Sequence, residues 1–595
     1  MDSGNTEGVG GSSDGSRESE VSSGGAGLDG STAEVGDGME DSSDGAKDVG
    51  PPISSVTMAN WTSNGQEVVT LDVAGNNVDA HDGDLHRWGG VFYLYGTSYD
   101  CGWTWNGSST WCGIKVYTST DLTHWSDAGL AFAPTAQWTS AQRCGGANGC
   151  FRPHVVYDPN DGMYVMWINR GGGNGDSNAS YYTLTSTSPR GPFVETAATP
   201  TLCKRTGNGD VSLFVDGSAG YVIYTAMGSD AAACVAAQRG GHEHRIAIEK
   251  LDSSFTNSAD PTHANCPSDP CASNATHFAW LSPHTDYENG YVFKRGSLYY
   301  AVYQDTCPYC NTELTDPSDK QENVFYQKAM GNPFDLARTP QLDLSAAPRP
   351  GRPPGDRACQ GQFSFVVDIP SAAGTSDYVY VADLWDDAVS GGKGNQAQAN
   401  FMWEVLSFGS DDRMEPLKCP DSARLTILGP TSGETSTPQN DDCDIRGTNR
   451  RGEVFTPASS GTLSDVSTIV YRSNGLTNPA GTGQLDGNAN GNLELGLYAT
   501  VGGRPAGNPV FSLTLAPDAV SFGRHRVTLH PRIAVLANQQ YALVLASPSS
   551  TMGCYGWLYS DDKPLKDAGA ELYDSGSGWV VEKNRDLYLE VTVTP

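Results

Sequence analysis

The stretch Val78-Asp79-Ala80-His81-Asp82-Gly83-Asp84-Leu85-His86-Arg87-Trp88-Gly89-Gly90-Val91-Phe92-Tyr93-Leu94-Tyr95-Gly96-Thr97-Ser98 sets three carboxylates just ahead of a short aromatic run bounded by glycines. A run that short, rich in aromatic and β-branched residues, predicts a β-strand. Related runs return as Gly162-Met163-Tyr164-Val165-Met166-Trp167, Gly220-Tyr221-Val222-Ile223-Tyr224 and Gly296-Ser297-Leu298-Tyr299-Tyr300-Ala301-Val302-Tyr303. A looser fifth copy spans Asp377 to Trp385, and the spacing between copies is roughly 58 to 81 residues. Each of the first four is followed by a turn carrying an aromatic plug, as in Asp121-Leu122-Thr123-His124-Trp125. Helical periodicity is almost absent. Five units of short strands, none able to bury its own faces, predict an all-β chain built on a five-bladed β-propeller over residues 53–420.

Outward from that core the texture changes. Apart from their charged residues, residues 1–52 are mostly Gly and Ser, and the first fifty hold twelve acids against two bases. Such a stretch buries too little apolar surface to offset its ordering entropy and is expected to be a disordered acidic linker. Residues 421–448, rich in Pro, Thr, Ser and Asp, are expected to be a second linker. Residues 449–595 bring strand-like runs such as Leu493-Glu494-Leu495-Gly496-Leu497-Tyr498, parted by Gly/Asn/Pro turns, and predict a C-terminal jelly-roll-like β-sandwich. Tyr555, Trp557 and Trp579 would serve it either as core or as a sugar platform.

The chain of 595 residues carries a formal net charge of −32, which argues against nucleic acid and anionic membranes as partners. No run of about 18 apolar residues is present to span a bilayer. The 14 cysteines include the close pairs Cys101/Cys112, Cys144/Cys150, Cys266/Cys271 and Cys307/Cys310, which point to disulfides and an oxidising compartment. A secreted or surface-tethered monomer whose signal peptide has been removed is expected. Cys307-Pro308-Tyr309-Cys310 lacks the second half of a zinc site. No cofactor is expected, and no metal ligand is assigned, although a structural calcium fits such a fold.

A propeller brings the inner strands of different blades to one axial pocket, so carboxylates just ahead of those strands would converge. Asp82 stands before the first blade strand, Asp210 opens Asp210-Val211-Ser212-Leu213-Phe214-Val215-Asp216, and Glu288 lies in Tyr287-Glu288-Asn289-Gly290-Tyr291. Taken singly, each fits a turn cap as well as a catalytic group. Three at equivalent blade positions favour catalysis, with Asp84 and then Asp79 as rivals to Asp82. The chain resembles glycoside hydrolase family 43 over about residues 75–410. The resemblance implies an inverting hydrolase with Asp82 as general base, Asp210 as the residue that tunes the acid and orients substrate, and Glu288 as general acid.

Arg152-Pro153-His154-Val155-Val156-Tyr157 and Gly361-Gln362-Phe363-Ser364-Phe365-Val366 are similar to the exo-β-1,3-galactanases of that family. Those enzymes carry a Glu where this chain has Phe151, and glycines where it has Asp82 and Asp84. Arabinose- or galactose-containing glycans are the implied substrates. Candidate substrate-binding residues are His81, Arg152, Gln362, Trp103, Trp167 and Trp385, with Trp105 and Trp111 as further stacking rings. His154, His242 and His244 join His81 as candidates for an axial ring, and Glu243 is the second choice for the acid. Rival expectations are a non-catalytic carbohydrate-binding or adhesion propeller and a retaining propeller glycosidase.

Overall fold

The computed structural model describes residues 53–594 apart from loop segments, the longest being 228–243, 306–322, 348–356, 386–395, 429–440, 474–486 and 561–569. The acidic residues 1–52, Trp105, His242, Glu243, Cys307 and Cys310 lie outside the described residues. Four antiparallel four-stranded meanders follow one another between His81 and Asp343, and a three-stranded one spans Gln362 to Val405. The innermost strands are His81–Trp88, Asn148–Asp158, Asn208–Asp216, Tyr287–Arg295 and Gln362–Pro370. Each packs against the next, and the fifth packs against the first, which closes a five-bladed propeller. The aromatic repeats of the sequence form the second strand of each blade: Phe92, Tyr95, Val165, Trp167, Tyr224, Tyr300 and Tyr380 are all fully buried. Strand alternation sends successive rings to opposite faces, so each blade fills the gaps on both of its sides.

Part of the stretch expected to be a linker is ordered strand. Ser422–Leu428 pairs antiparallel with Ile53–Ala59, so the two ends of the propeller are zipped together. Asn60 locks that ribbon to blade five: its side-chain N–H donates to the Trp403 carbonyl at 2.8 Å, and its side-chain oxygen accepts from the Trp403 amide at 2.8 Å. Cys359 and Cys419 close the same region with a disulfide 60 residues apart in sequence. Closing a loop of that length restricts the unfolded chain by about 4 kcal/mol in the chain-entropy picture. The Cys359→Ser/Cys419→Ser double variant is therefore expected to melt well below the wild type in a reversible unfolding scan; an unchanged midpoint would mean that the strand ribbon alone holds the ring closed.

The disulfides Cys101–Cys112 and Cys144–Cys150 form as the short spacings imply. Cys266, however, bonds Cys203 across 63 residues rather than its near neighbour Cys271, which is disulfide-bonded elsewhere. Among the described residues no helix is long and apolar enough to cross a membrane.

The C-terminal region is two packed seven-stranded antiparallel sheets. Tyr555 and Trp557 are core side chains there, 0% and 1% exposed, and so are not a sugar platform. Propeller and sandwich share buried contacts: Phe522 joins the aromatic cluster of the first blades, and Arg524 Nη1 donates to the Gln398 carbonyl at 2.9 Å.

Candidate active site

All five inner strands are irregular at the same end. The pairing register slips between His81 and Asp84, Phe151 and His154, Asn208 and Val211, Glu288 and Tyr291, and Phe363 and Phe365. A bulge re-aims the side chains around it, and here five bulges aim toward one axis. Asp82, Arg152 and Asn289 take left-handed φ values of 52°, 56° and 59° to do so. Next to Asp82 the chain runs so close to its neighbour that a Cβ at Gly83 would stand 1.9 Å from the Tyr95 carbonyl oxygen. Only glycine fits there.

Arg152 is the hub of the cluster. Its backbone N–H donates to Asp82 Oδ1 at 3.2 Å, and its Nε lies 3.2 Å from Asp210 Oδ1. Its Nη2 donates to Asn289 Oδ1 at 2.6 Å and its Nη1 to the Phe363 carbonyl at 3.2 Å. Burial opposes the guanidinium charge, but Asp210, Asp82, Asp383 and Glu288 outweigh it and raise its pKa. One cation thus gathers residues from all five blades.

Asp82 is 5% exposed and fully hydrogen-bonded. Thr97 Oγ1 donates to its Oδ1 at 2.7 Å and Tyr99 hydroxyl to its Oδ2 at 2.8 Å, while its own amide donates to Asp383 Oδ2 at 3.1 Å. Burial pushes its pKa up to about 6; Arg152 pulls it down and Asp383 pushes it further up. Burial also raises the pKa of Asp210, with Arg152 opposing and the negative charge of Glu288 adding to the rise. His244 Nδ1 lies 3.1 Å from Glu288 Oε1 and fixes that side chain. The aromatic neighbours Tyr287, Tyr291 and Phe293 are packed into the core between blades.

The rivals to Asp82 are occupied elsewhere. Asp84 lies 2.8 Å from His86 Nε2 and 3.2 Å from His154 Nδ1. Its burial would raise its pKa, yet the two histidines outweigh burial and hold the carboxyl below the ordinary range. Asp79 accepts from Ser98 Oγ at 2.5 Å and from the Tyr99 amide at 2.8 Å, and so anchors the loop that presents Tyr99 to Asp82.

Among the substrate-binding candidates, Gln362 and Trp385 stay at the site: Trp385 Nε1 donates to Gln362 Oε1 at 2.8 Å, and Gln362 pairs with Asp383 across the strands. Trp167 does not. It is 0% exposed, lies in the core between blades two and three, and donates to the Phe255 carbonyl at 2.8 Å. Trp103 is stacked behind Tyr99 at 5.1 Å and covered by Gly149. Trp111 is equally buried, its Nε1 bonded to the Cys150 carbonyl. His81 is also 0% exposed; its ring stacks on Phe401 at 5.4 Å and sits 3.4 Å from Asp383 Oδ1, a support behind the site rather than a sugar contact. Asn289 and Asp383 were not legible as site residues. Asn289 arrives through the fourth bulge, and Asp383 comes from the second strand of blade five, beside Gln362.

The family model of glycosyl hydrolases family 43 matches residues 76–323, from the approach to the first blade into the fourth. No curated protein matches the chain. Among solved structures, an exo-β-1,3-galactanase from Phanerochaete chrysosporium is 16% identical, with 84% of this chain and 98% of that one covered at a TM-score of 0.43. An exo-β-1,3-galactanase from Clostridium thermocellum is 16% identical, with 90% and 100% covered at a TM-score of 0.45. A family 43 β-1,3-galactosidase is 17% identical, with 59% and 97% covered at a TM-score of 0.43. Residues 76–323, which hold Asp82, Arg152, Asp210 and Glu288, are thus the part of this chain that is similar to glycosyl hydrolases family 43.

Proposed function

We propose that the protein is a secreted, inverting glycoside hydrolase that releases galactose or arabinose from polysaccharides or oligosaccharides. The observation that carries this is that Arg152 links the carboxylates at one end of the propeller axis: its amide donates to Asp82, its guanidinium pairs with Asp210, and the charges of Asp82, Asp210 and Glu288 all act on it. In the proposed step a water oxygen bonds to the anomeric carbon as the glycosidic C–O bond breaks. Asp82 takes the water proton, and Glu288 delivers a proton to the departing oxygen. Tyr99 and Thr97 both donate to the Asp82 carboxylate, which leaves it oriented for that transfer. Asp210 and Glu288 repel each other's charge, so the pair holds a proton more readily than a lone carboxylate would. Arg152 keeps Asp210 in place and offsets part of that repulsion.

Secretion is supported by the disulfides Cys101–Cys112, Cys144–Cys150, Cys203–Cys266, Cys359–Cys419 and Cys443–Cys554. The similarity of residues 152–157 and 361–366 to exo-β-1,3-galactanases makes β-1,3-galactan the first substrate. Phe151, half-buried at the bulge, stands where those enzymes place a carboxylate. The test is release of reducing sugar from β-1,3-galactan, arabinogalactan, arabinan and xylan. Galactose or arabinose release is the expected result, and activity confined to xylan would overturn the substrate assignment.

A further inference from the structure

The sandwich carries a second built cleft, on the face of its sheet that turns away from the core. Along Leu493–Val501, Leu493, Leu495 and Leu497 are buried in the core, so alternation turns Glu494, Gly496 and Tyr498 outward. The ladder places Glu494 opposite Ala546 and Ala546 opposite Arg450; one step on, Gly496 faces Val544 and Val544 faces Gly452. Ser512 on the adjoining strand is in register with Gly496. The outcome is a cleft of about 590 Å³ with a floor of small side chains and a polar, aromatic rim. That volume lies within the usual range for a small-ligand site.

Two details separate this cleft from a bare sheet face. A Cβ at Gly496 would stand 2.7 Å from Tyr498 Cε2, so glycine is what lets the tyrosine ring fold back over its own strand. At the opposite wall the Arg450 guanidinium lies 4.8 Å from the centre of the Trp579 ring and is ion-paired with Asp574. Asp574 is itself held by the amides of Gly576 at 2.8 Å and Gly578 at 2.9 Å, which fixes the arginine in place. A tyrosine ring thus lines the cleft together with a guanidinium backed by the Trp579 ring, a carboxylate (Glu494) and a hydroxyl (Ser512).

A pyranose matches that arrangement. Its C–H faces pack against aromatic rings, and its hydroxyls both donate and accept. Anionic ligands are disfavoured, because Glu494 is exposed in the cleft while the charge of Arg450 is already paired with Asp574. We propose that this cleft binds a neutral glycan chain, the same polymer that the propeller cleaves. The identity of that polymer rests on the proposed function; the existence of the cleft's ligand does not. Anchoring a polymer on the sandwich would raise its effective concentration at the propeller without any new catalytic contact.

The test uses the full chain carrying Glu288→Gln, titrated calorimetrically with β-1,3-galacto-, arabino- and xylo-oligosaccharides. Two sites per chain are expected for one of these probes, falling to one when Tyr498→Ala or Ser512→Trp is added. Ser512 is exposed, so the tryptophan blocks the cleft without disturbing the fold. In the active background the same two changes are expected to leave nitrophenyl glycoside hydrolysis unchanged and to slow polymer hydrolysis about five- to tenfold. A stoichiometry that neither change alters, or binding of none of the probes, would overturn the proposal. Should Glu288→Gln remain active, the acid assignment would fail while the site count still decided the cleft.

Discussion

Glu288→Gln is expected to lower kcat on a natural glycan about 10³-fold, within the range seen for removal of a general acid. Glutamine keeps the shape and can still bond His244, which lies 3.1 Å from the carboxylate oxygen, so the fold and substrate binding should survive. What is lost is the proton for the departing oxygen. A dinitrophenyl glycoside leaves as a stable anion and needs little protonation, so on that substrate the loss should shrink to roughly tenfold or less. The split between the two substrates is the signature of an acid. Equal losses on both would instead mark Glu288 as a binding or structural residue.

Asp82→Asn is expected to be as damaging, about 10³-fold, but equally so on activated and natural substrates, since attack by water is common to both. The wild-type pH profile adds an independent check. A base works only when ionised, and burial lifts the Asp82 pKa to about 6. The kcat/KM of the wild type should therefore rise through pH 6 and be about tenfold below its plateau at pH 5. The sign for stability is the reverse. A carboxyl with a raised folded-state pKa favours the folded state when protonated, so this residue's contribution is lost as pH rises through about 6. Activity and stability should move in opposite directions across that window. An acidic limb centred near pH 4 would mean that a solvated carboxylate is the base.

Much of this was legible in the chain, for identifiable reasons. The five aromatic runs had to be buried between blades, because no single unit of short strands can cover rings such as Tyr95, Tyr224 or Tyr300. Asp82, Asp210 and Glu288 could be read as candidates because each lies at the start of an inner strand, beside its bulge, a position that the topology converts into nearness to the axis. Arg152 and Gln362 became candidates through the resemblance of residues 152–157 and 361–366 to exo-β-1,3-galactanases. What stayed hidden depended on contacts across the ring. Asp383 reaches Asp82 from a residue 301 positions away, and Asn289 is turned inward only by a bulge. Cys266 sits five residues from Cys271 in sequence, yet it bonds Cys203, because the loop between the third and fourth strands of blade three folds back on the segment before that blade. Tryptophans misled for a different reason: the residue type is the same for a plug and for a platform. Only packing shows that Trp167 is core while Trp385 belongs to the site.

The proposed reaction is a single displacement between Asp82 and Glu288. The measurement that bears on it most directly is proton NMR of the first sugar released from a substrate of known linkage, read before mutarotation. An inverting reaction leaves a wide gap between the carboxylates for water and yields the opposite anomer. For a β-galactoside, α-galactose is expected as the first product, with the β-anomer growing in later. β-Galactose appearing first would require a covalent intermediate, and would contradict the assignment of Asp82 as a base acting on water.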